Sequence, residues 1–209
     1  MKHSGVVNLN RSKIVNTIVK NNVIILLTVF FVVGIIIGVI TLRNNEIISN
    51  IAKANFNNFV LIRKNGNFGN IFLSSFFDIL PFALLVFLCG TSIVGIALTP
   101  IAIAYRGFNY GILAAYLYNT YSLQGIAFNS LILIPTTLIA VFGFLISGRS
   151  ALNISVYLAK ISLPKGQAVC IYNDFRIYCK KALLFLLFYI ASALLDAIMS
   201  MSFIDYFKF

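Results

Sequence analysis

The chain of 209 residues is 60% hydrophobic and only 10% charged, and its formal net charge is +11. A soluble domain carries about a quarter charged residues, so the composition excludes soluble globular, disordered and disulfide-stapled proteins. Uncharged runs at 21–42, 79–105 and 107–148 predict instead an all-α, polytopic bundle of transmembrane helices, since one crossing needs about 20 apolar residues.

The first predicted elements are a basic cytoplasmic tail at residues 1–22 and a transmembrane span at 23–42. A signal peptide would have a shorter apolar stretch followed by a small-residue cleavage site, so we expect an uncleaved first span. Residues 43–78 are polar and contain nine asparagines. This composition predicts an external loop with a short helical piece.

The remaining elements follow from the other uncharged runs. The run 107–148 is too long for one crossing and predicts two, joined by a polar turn at 122–125. The first of these two, 107–121, is short and interrupted by glycines, so a re-entrant segment is the alternative to a full crossing. A basic cytoplasmic loop is expected at 149–181. The five spans are predicted at 23–42, 79–104, 107–121, 126–147 and 182–203.

The lysines and arginines predict the orientation of these spans. Eleven fall on the side of the N-terminal tail and five on the other side, which favours a cytoplasmic N-terminus and an external C-terminus in a bacterial cell membrane. The same rule accounts for the positive net charge, because lysines and arginines outside the spans set the orientation of the chain in the lipid bilayer. We expect no nucleic-acid partner, because no basic face with interleaved aromatic residues is present.

Asp196 is the candidate polar group inside the membrane. An ionisable residue at such a depth marks either a proton or cation site or a buried structural pair. The sequence offers no second acid or histidine that could relay a proton nearby. We therefore expect a structural carboxylate, paired with Arg43 at the end of the first span or with tyrosine hydroxyls.

The sequence contains few residues that could act as catalytic groups inside the membrane. The single histidine, His3, is in the tail, which excludes a membrane serine protease of the rhomboid kind. No HExxH motif or Cys/His cluster is present for a metal, and Asp78 with Asp196 is the only candidate pair for an aspartyl protease. The sequence therefore predicts no enzyme, no catalytic or metal-binding residue and no cofactor, and the lack of a P-loop leaves any ATP use to a partner.

Glycines form a second pattern. Small residues four positions apart lie on one helical face and allow close approach of helix backbones, within the bundle or against another protein. The motifs are Gly34-x-x-x-Gly38 and Gly107-x-x-x-Gly111, with further glycines at Gly90 and Gly95.

The central part of the chain resembles the stage II sporulation protein M family. The resemblance is carried by Gly90-Thr-Ser-Ile-Val-Gly95, by Ile-Ala-Leu-Thr-Pro after it, and by Tyr105-Arg106-Gly107 leading to Gly111. Gly125 stands where the family has a later glycine, Pro135 matches the proline at the start of its fourth span, and Leu194-Leu-Asp-Ala197 resembles its closing Leu-Phe-Glu-Ala. Order and spacing agree over most of the chain.

Some family features are absent from this chain. Many broader relatives have a His-Gly and a glutamate in the fourth span, and neither stands near Pro135. The closing acid is Asp196 rather than glutamate, and the proline expected soon after it is replaced within Met199-Ser-Met-Ser. Roles attached to the missing groups do not transfer to this chain.

The resemblance implies a function. Members of the family are polytopic proteins of spore-forming bacteria that anchor and localise peptidoglycan-degrading partners during engulfment of the forespore, without being hydrolases. We therefore expect a non-catalytic scaffold whose surfaces at 43–78 and 122–125 dock wall-remodelling proteins. Related proteins also occur beside ATP-binding transport subunits in bacteriocin clusters, so the alternative is a transport component whose 149–181 loop docks such a subunit, with 151–160 as a weak candidate coupling helix.

Overall fold

The computed structural model describes residues 4–162 and 171–207, with the side chains of 22–162 and 175–207. The charged side chains of the tail, Cys170 and part of the predicted 149–181 loop lie outside these residues. The described chain is all-helical, so the predicted fold class is confirmed. Its helices are α1 (Ser4–Asn44), α2 (Glu46–Asn65), α3 (Phe68–Gly90), α4 (Gly95–Phe128), α5 (Ile134–Ile161) and α6 (Ile171–Phe203), with a π-helical turn at Asn129–Leu133 and a 3-10 turn at Ile204–Tyr206.

Four stretches of the described chain have the length and composition of membrane-spanning helices. They are Asn22–Asn44, Phe68–Gly90, Gly95–Ile161 and Phe175–Tyr206. The third is far longer than one crossing and folds back on itself at Ser122, where the backbone has φ 47° and ψ −119°. The bundle therefore contains five segments of membrane length.

The reversal at Ser122 is held by contacts between the two segments that it joins. The Asn129 side chain hydrogen-bonds to the hydroxyl groups of Tyr110, at 3.1 Å, and of Tyr118. Gly125 lies so close to the Leu117 carbonyl that an added Cβ would overlap it. The segment before the turn, 95–121, is longer than the about 20 residues that a crossing needs, so it is a full-length helical segment rather than the short or re-entrant one considered from the sequence.

The predicted second span, 79–104, is wrong in its bounds. The structure ends α3 at Gly90, turns through 91–94 and starts α4 at Gly95. The Thr91 and Gly95 amides donate to the Leu88 and Ser92 carbonyls across this turn. Gly95 closes the turn because a Cβ there would overlap the Cys89 carbonyl. As a result, Arg106 lies within α4 and not in a loop.

The predicted external loop, 43–78, is helical along nearly its whole length. It contains α2 and the first half of α3. We call the end of the bundle covered by α2 the α2 end, and the end with the 91–94 turn the opposite end. Phe56, which is 1% exposed, anchors α2 by packing on the rings of Tyr116 and Phe128 at centroid distances of 5.8 Å.

The two glycine motifs pack against each other. Gly34 faces the backbone of Ala104 and Gly38 faces that of Phe108, while Gly107 and Gly111 lie against the carbonyls of α1. Both contacts advance along the two helices in the same direction, so α1 and α4 run parallel. An added Cβ at any of the four glycines would overlap a backbone carbonyl oxygen, so the motifs permit this close approach.

The helices flanking the predicted basic loop are longer than expected. Helix α5 continues to Ile161 and α6 begins at Ile171, so much of 149–181 is helical. Ser155, which is fully buried, donates a hydrogen bond of 3.0 Å to the Cys89 carbonyl of α3. The Tyr178 hydroxyl of α6 donates to the Phe87 carbonyl at 3.0 Å. These bonds join α3, α5 and α6 at the opposite end.

Candidate functional site

A buried ion pair joins α2 to the membrane-length helices. The guanidinium of Arg63 donates to one carboxylate oxygen of Asp196 in α6. The residues are 4% and 5% exposed. A charge removed from water to this extent is stable only when it is paired and hydrogen-bonded, so the pair fixes the position of α2 over the bundle.

All three nitrogens of the Arg63 guanidinium donate hydrogen bonds, Nη1 to the Phe59 carbonyl at 3.3 Å. Its Nε donates to Ser200 Oγ at 3.1 Å, and Nη2 donates to Ser75 Oγ at 3.0 Å. The ring of Phe59 lies under the guanidinium at 3.2 Å from its central carbon, a cation–π contact. Burial lowers the pKa of Arg63 from its ordinary value, while the Asp196 carboxylate opposes this shift.

The prediction that Asp196 pairs with Arg43 is wrong. Arg43 lies at the end of α1 with its side chain exposed, and α2 supplies Arg63 in its place. The signal was present in the sequence as a helical spacing of residues that α2 buries, and these are Ala52, Phe56, Val60 and Arg63. The asparagines between them obscured this pattern. The ion pair agrees with the structural interpretation of Asp196 and not with a free carboxylate.

A cavity of about 770 Å³ lies beside the ion pair. Helix α2 covers it, and α3, α4, α5 and α6 form its walls. Most of the lining is apolar, but several polar side chains line it although the walls are membrane-length helices. The polar lining includes Asn58, Ser74, Asn109, Tyr110, Thr136 and Ser192.

Asp78 and Arg106 add two further charges to the lining of this cavity. Counted along their helices at 1.5 Å per residue, each lies about 15 Å from the nearer helix end. The guanidinium of Arg106 is 5.0 Å from the centre of the Phe82 ring. Within the described residues, the ion pair of Arg63 with Asp196 is the one within 4 Å, so Asp78 and Arg106 are not in direct contact.

The remaining family-type residues shape the bundle and do not line the cavity. Gly90 lies against Tyr178 and Ala151, so the backbone of α3 approaches α5 and α6 closely. Gly125 permits the reversal after Ser122. Pro135 follows directly on the π-helical turn Asn129–Leu133, where the regular helical hydrogen-bond ladder is already altered and the missing N–H of proline is accommodated.

The side chains that line the cavity can recognise a ligand by charge and by hydrogen bonding. Arginine and asparagine donate, carboxylate and amide oxygens accept, and the hydroxyl groups do both. Among the described residues no group of three histidine, cysteine or acidic side chains is close enough to hold a metal ion. The arrangement offers charges of both signs together with hydroxyl and amide groups inside the membrane-length part of the bundle.

Comparison with known proteins gives a family. No curated protein and no solved structure matches the chain. A family model described as Stage II sporulation protein M matches residues 27–201, a range that runs from α1 through most of α6. The match covers most of the chain, with the α1–α4 glycine contacts, the reversal at Ser122 and Asp196 inside it, and the protein therefore belongs to the stage II sporulation protein M family.

Proposed function

We propose that this membrane protein of a sporulation family is a non-catalytic scaffold that anchors or localises peptidoglycan-remodelling partners during engulfment. The observation that carries the proposal is the exposed polar surface of α2 and its flanking residues, which we call the asparagine surface and of which Asn55 and Asn58 also line the cavity. All nine asparagines between 44 and 70 are exposed. They are Asn44, Asn45, Asn50, Asn55, Asn57, Asn58, Asn65, Asn67 and Asn70.

The asparagine surface has the properties of a docking site on a fixed support. Phe56 and Arg63 hold the buried side of α2 against the bundle, so the opposite side is presented in one orientation. Amide side chains donate and accept hydrogen bonds without a net charge. A partner recognised by this surface would present a polar face with many hydrogen-bonding groups.

The proposal requires the α2 end to face the outside of the cell. The charge bias supports this orientation. With Arg106 counted inside α4, ten lysines and arginines remain on the side of the N-terminal tail and five on the α2 side. The N-terminus would then be cytoplasmic and the C-terminus external, which leaves the asparagine surface accessible to enzymes of the cell wall.

The transport alternative finds less support. It calls for an amphipathic coupling helix in 151–160 that an ATP-binding subunit would contact. In the structure these residues continue α5, and Ala151 and Ser155 are fully buried against the bundle. One face of this segment is therefore packed against the bundle at the opposite end as a continuation of α5, while Asn153, Val156 and Lys160 are exposed.

Photocrosslinking from chosen positions tests the scaffold role. A photoreactive residue at position 50, 57 or 65 is expected to form adducts with wall-remodelling proteins in sporulating cells. The matched control is position 138, where the leucine is 64% exposed on a membrane-length helix and adducts with such proteins are not expected. Adducts found only from the 149–181 region, and only with an ATPase, would overturn the scaffold and support the transport alternative.

A further inference from the structure

The charges of the cavity are only half satisfied within the described chain. Arg63 and Asp196 form a direct ion pair, whereas Asp78 and Arg106 line the same cavity and attract each other only from beyond 4 Å. Arg106 makes no hydrogen bond to any described residue. An arginine near the middle of a membrane-length helix requires acceptors for its donors, so we expect water or a negative group of a ligand near Arg106.

The walls of the cavity leave one side uncovered. Helices α3 and α4 pack against each other next to the 91–94 turn. The rings of Phe82 in α3 and Tyr105 in α4 are in contact, with centroids 5.9 Å apart. Toward the α2 end both helices line the cavity, α3 with Asp78 and α4 with Arg106 and Asn109. Helix α1 packs on α4 and makes no contact with α3 among the described residues, so no described helix closes this gap.

In a bundle of membrane-spanning helices, an opening between α3 and α4 would face the lipid, and the α2 end would face water. Helix α2 lies over the cavity toward the water, with Ile48 and Phe59 among its lining residues. Tyr105 stands at the open side and is 55% exposed. A ligand therefore enters more readily from the membrane than through α2, and its apolar part would remain between the helices and the lipid.

The charge pattern defines the headgroup of that ligand. A phosphate would pair with Arg106 through charge-assisted hydrogen bonds. An anionic headgroup alone would leave Asp78 without a partner and would be repelled by it. A headgroup with a phosphate and an ammonium group satisfies both residues. We propose that the cavity binds a zwitterionic phospholipid, of the phosphatidylethanolamine class, with its phosphate on Arg106 and its ammonium group on Asp78.

This proposal does not depend on the scaffold role and has its own test. The chain contains no tryptophan, so Tyr105→Trp introduces a single fluorophore at the open side. The variant would be reconstituted into nanodiscs that contain a small fraction of phosphatidylethanolamine or phosphatidylglycerol with brominated acyl chains, which quench tryptophan on contact. We expect quenching at about tenfold lower mole fraction for brominated phosphatidylethanolamine, the preference that one charged hydrogen bond provides.

Matched variants separate binding from general lipid contact. Leu138→Trp, on an exposed position outside the cavity, is expected to be quenched equally by both lipids. Adding Asp78→Asn or Arg106→Gln to Tyr105→Trp should each remove the preference, while Lys53→Gln on the exposed side of α2 should leave it intact. Circular dichroism and thermal unfolding would show that each variant is folded, and Arg106→Lys, which keeps the charge, should retain part of the preference.

Three outcomes would overturn the proposal. Equal quenching of Tyr105→Trp by the two lipids would contradict a headgroup preference. A preference that survives both Asp78→Asn and Arg106→Gln in folded protein would place recognition elsewhere. Relief of quenching by millimolar soluble phosphoethanolamine would show that the site takes a free zwitterion from water and not a membrane lipid.

Discussion

Arg63 and Asp196 stand 133 residues apart in the chain and share one buried ion pair. The pair connects α2 with α6 and lies beside Ser75 of α3 and Ser200 of α6. The contact between these two residues therefore joins three helices. We therefore expect the α2 end to be stable when Arg63 and Asp196 are both present or both replaced, and less stable when only one of them is replaced.

Breaking the pair should be costly. Arg63→Gln or Asp196→Asn is expected to lower the free energy of unfolding by about 3–5 kcal/mol, because the remaining charge stays buried without a partner. Thermal unfolding of purified protein in detergent would measure the loss. Arg43→Gln is the matched control, since Arg43 is exposed, and a loss there as large as at Arg63 would contradict the pairing.

The double variant Arg63→Met with Asp196→Leu tests the same pair in a different way. Replacing both charges with apolar side chains is often neutral or stabilising, so we expect the double variant to be more stable than either Arg63→Met or Asp196→Leu alone. Additive losses in the two single variants would show that the two residues act independently.

The glycine contacts between α1 and α4 predict strong sensitivity to a single methyl group. Gly107→Ala is expected to destabilise the protein by about 1–3 kcal/mol, because the added Cβ would overlap the Phe31 carbonyl and push the helices apart. Gly69→Ala is the control, since nothing lies within 4 Å of a Cβ there. Unfolding in detergent would measure both, and equal stability of the two variants would exclude this packing.

Ser122 predicts a substitution that stabilises the protein. Its φ of 47° lies in the region that favours glycine. Ser122→Gly is expected to raise the free energy of unfolding, while Ser122→Val should lower it by about 1–3 kcal/mol. Thr120→Gly, in ordinary helix two residues earlier, should instead be destabilising. A loss of stability in Ser122→Gly would contradict the backbone reversal.

Cysteine accessibility tests the orientation. In a chain without its own cysteines, Asn58→Cys and Leu123→Cys should react with a membrane-impermeant maleimide added to intact cells, since both positions are exposed at the α2 end. A chain that keeps only Cys170 should react after permeabilisation alone. Loss of labelling at position 123 in intact cells would overturn the arrangement of five crossings.

Position 92 distinguishes the structure from the span predicted by hydropathy. The structure has Ser92 exposed in the turn at the opposite end, so Ser92→Cys should react readily in permeabilised cells. A residue in the middle of a continuous span over 79–104 would be inert under the same conditions. No reaction at position 92 would restore the continuous span.

The sequence predicts the fold class because apolar length alone identifies helices that cross a membrane. It misplaces the second span because hydropathy does not distinguish a turn of Thr91, Ser92, Ile93 and Val94 from a helix. The glycines on both sides of that turn, Gly90 and Gly95, were the available signal. Gly95 permits the turn, because a side chain at this position would overlap the Cys89 carbonyl.

The candidate site was only partly predictable. Asp196 is recognisable as an unusual carboxylate, and Arg106 as part of a family motif. Their surroundings depend on α2 folding over the bundle, which brings Arg63 from a polar segment into the core. The cavity depends on the separation of α3 and α4 at the α2 end, and this packing has no signature in hydropathy.

The parallel contact of Gly34 and Gly38 with α4 has a consequence for biosynthesis. Gly107, a glycine of α4 in this contact, lies about 70 residues further along the chain than the glycines of α1. At ribosomal speeds α1 therefore spends roughly 4–15 s in the bilayer before Gly107 is made. During this interval its close-packing face is open to any neighbouring helix. Other helices can therefore pack against the glycine face of α1 during this interval, and α4 must displace them once it has been made.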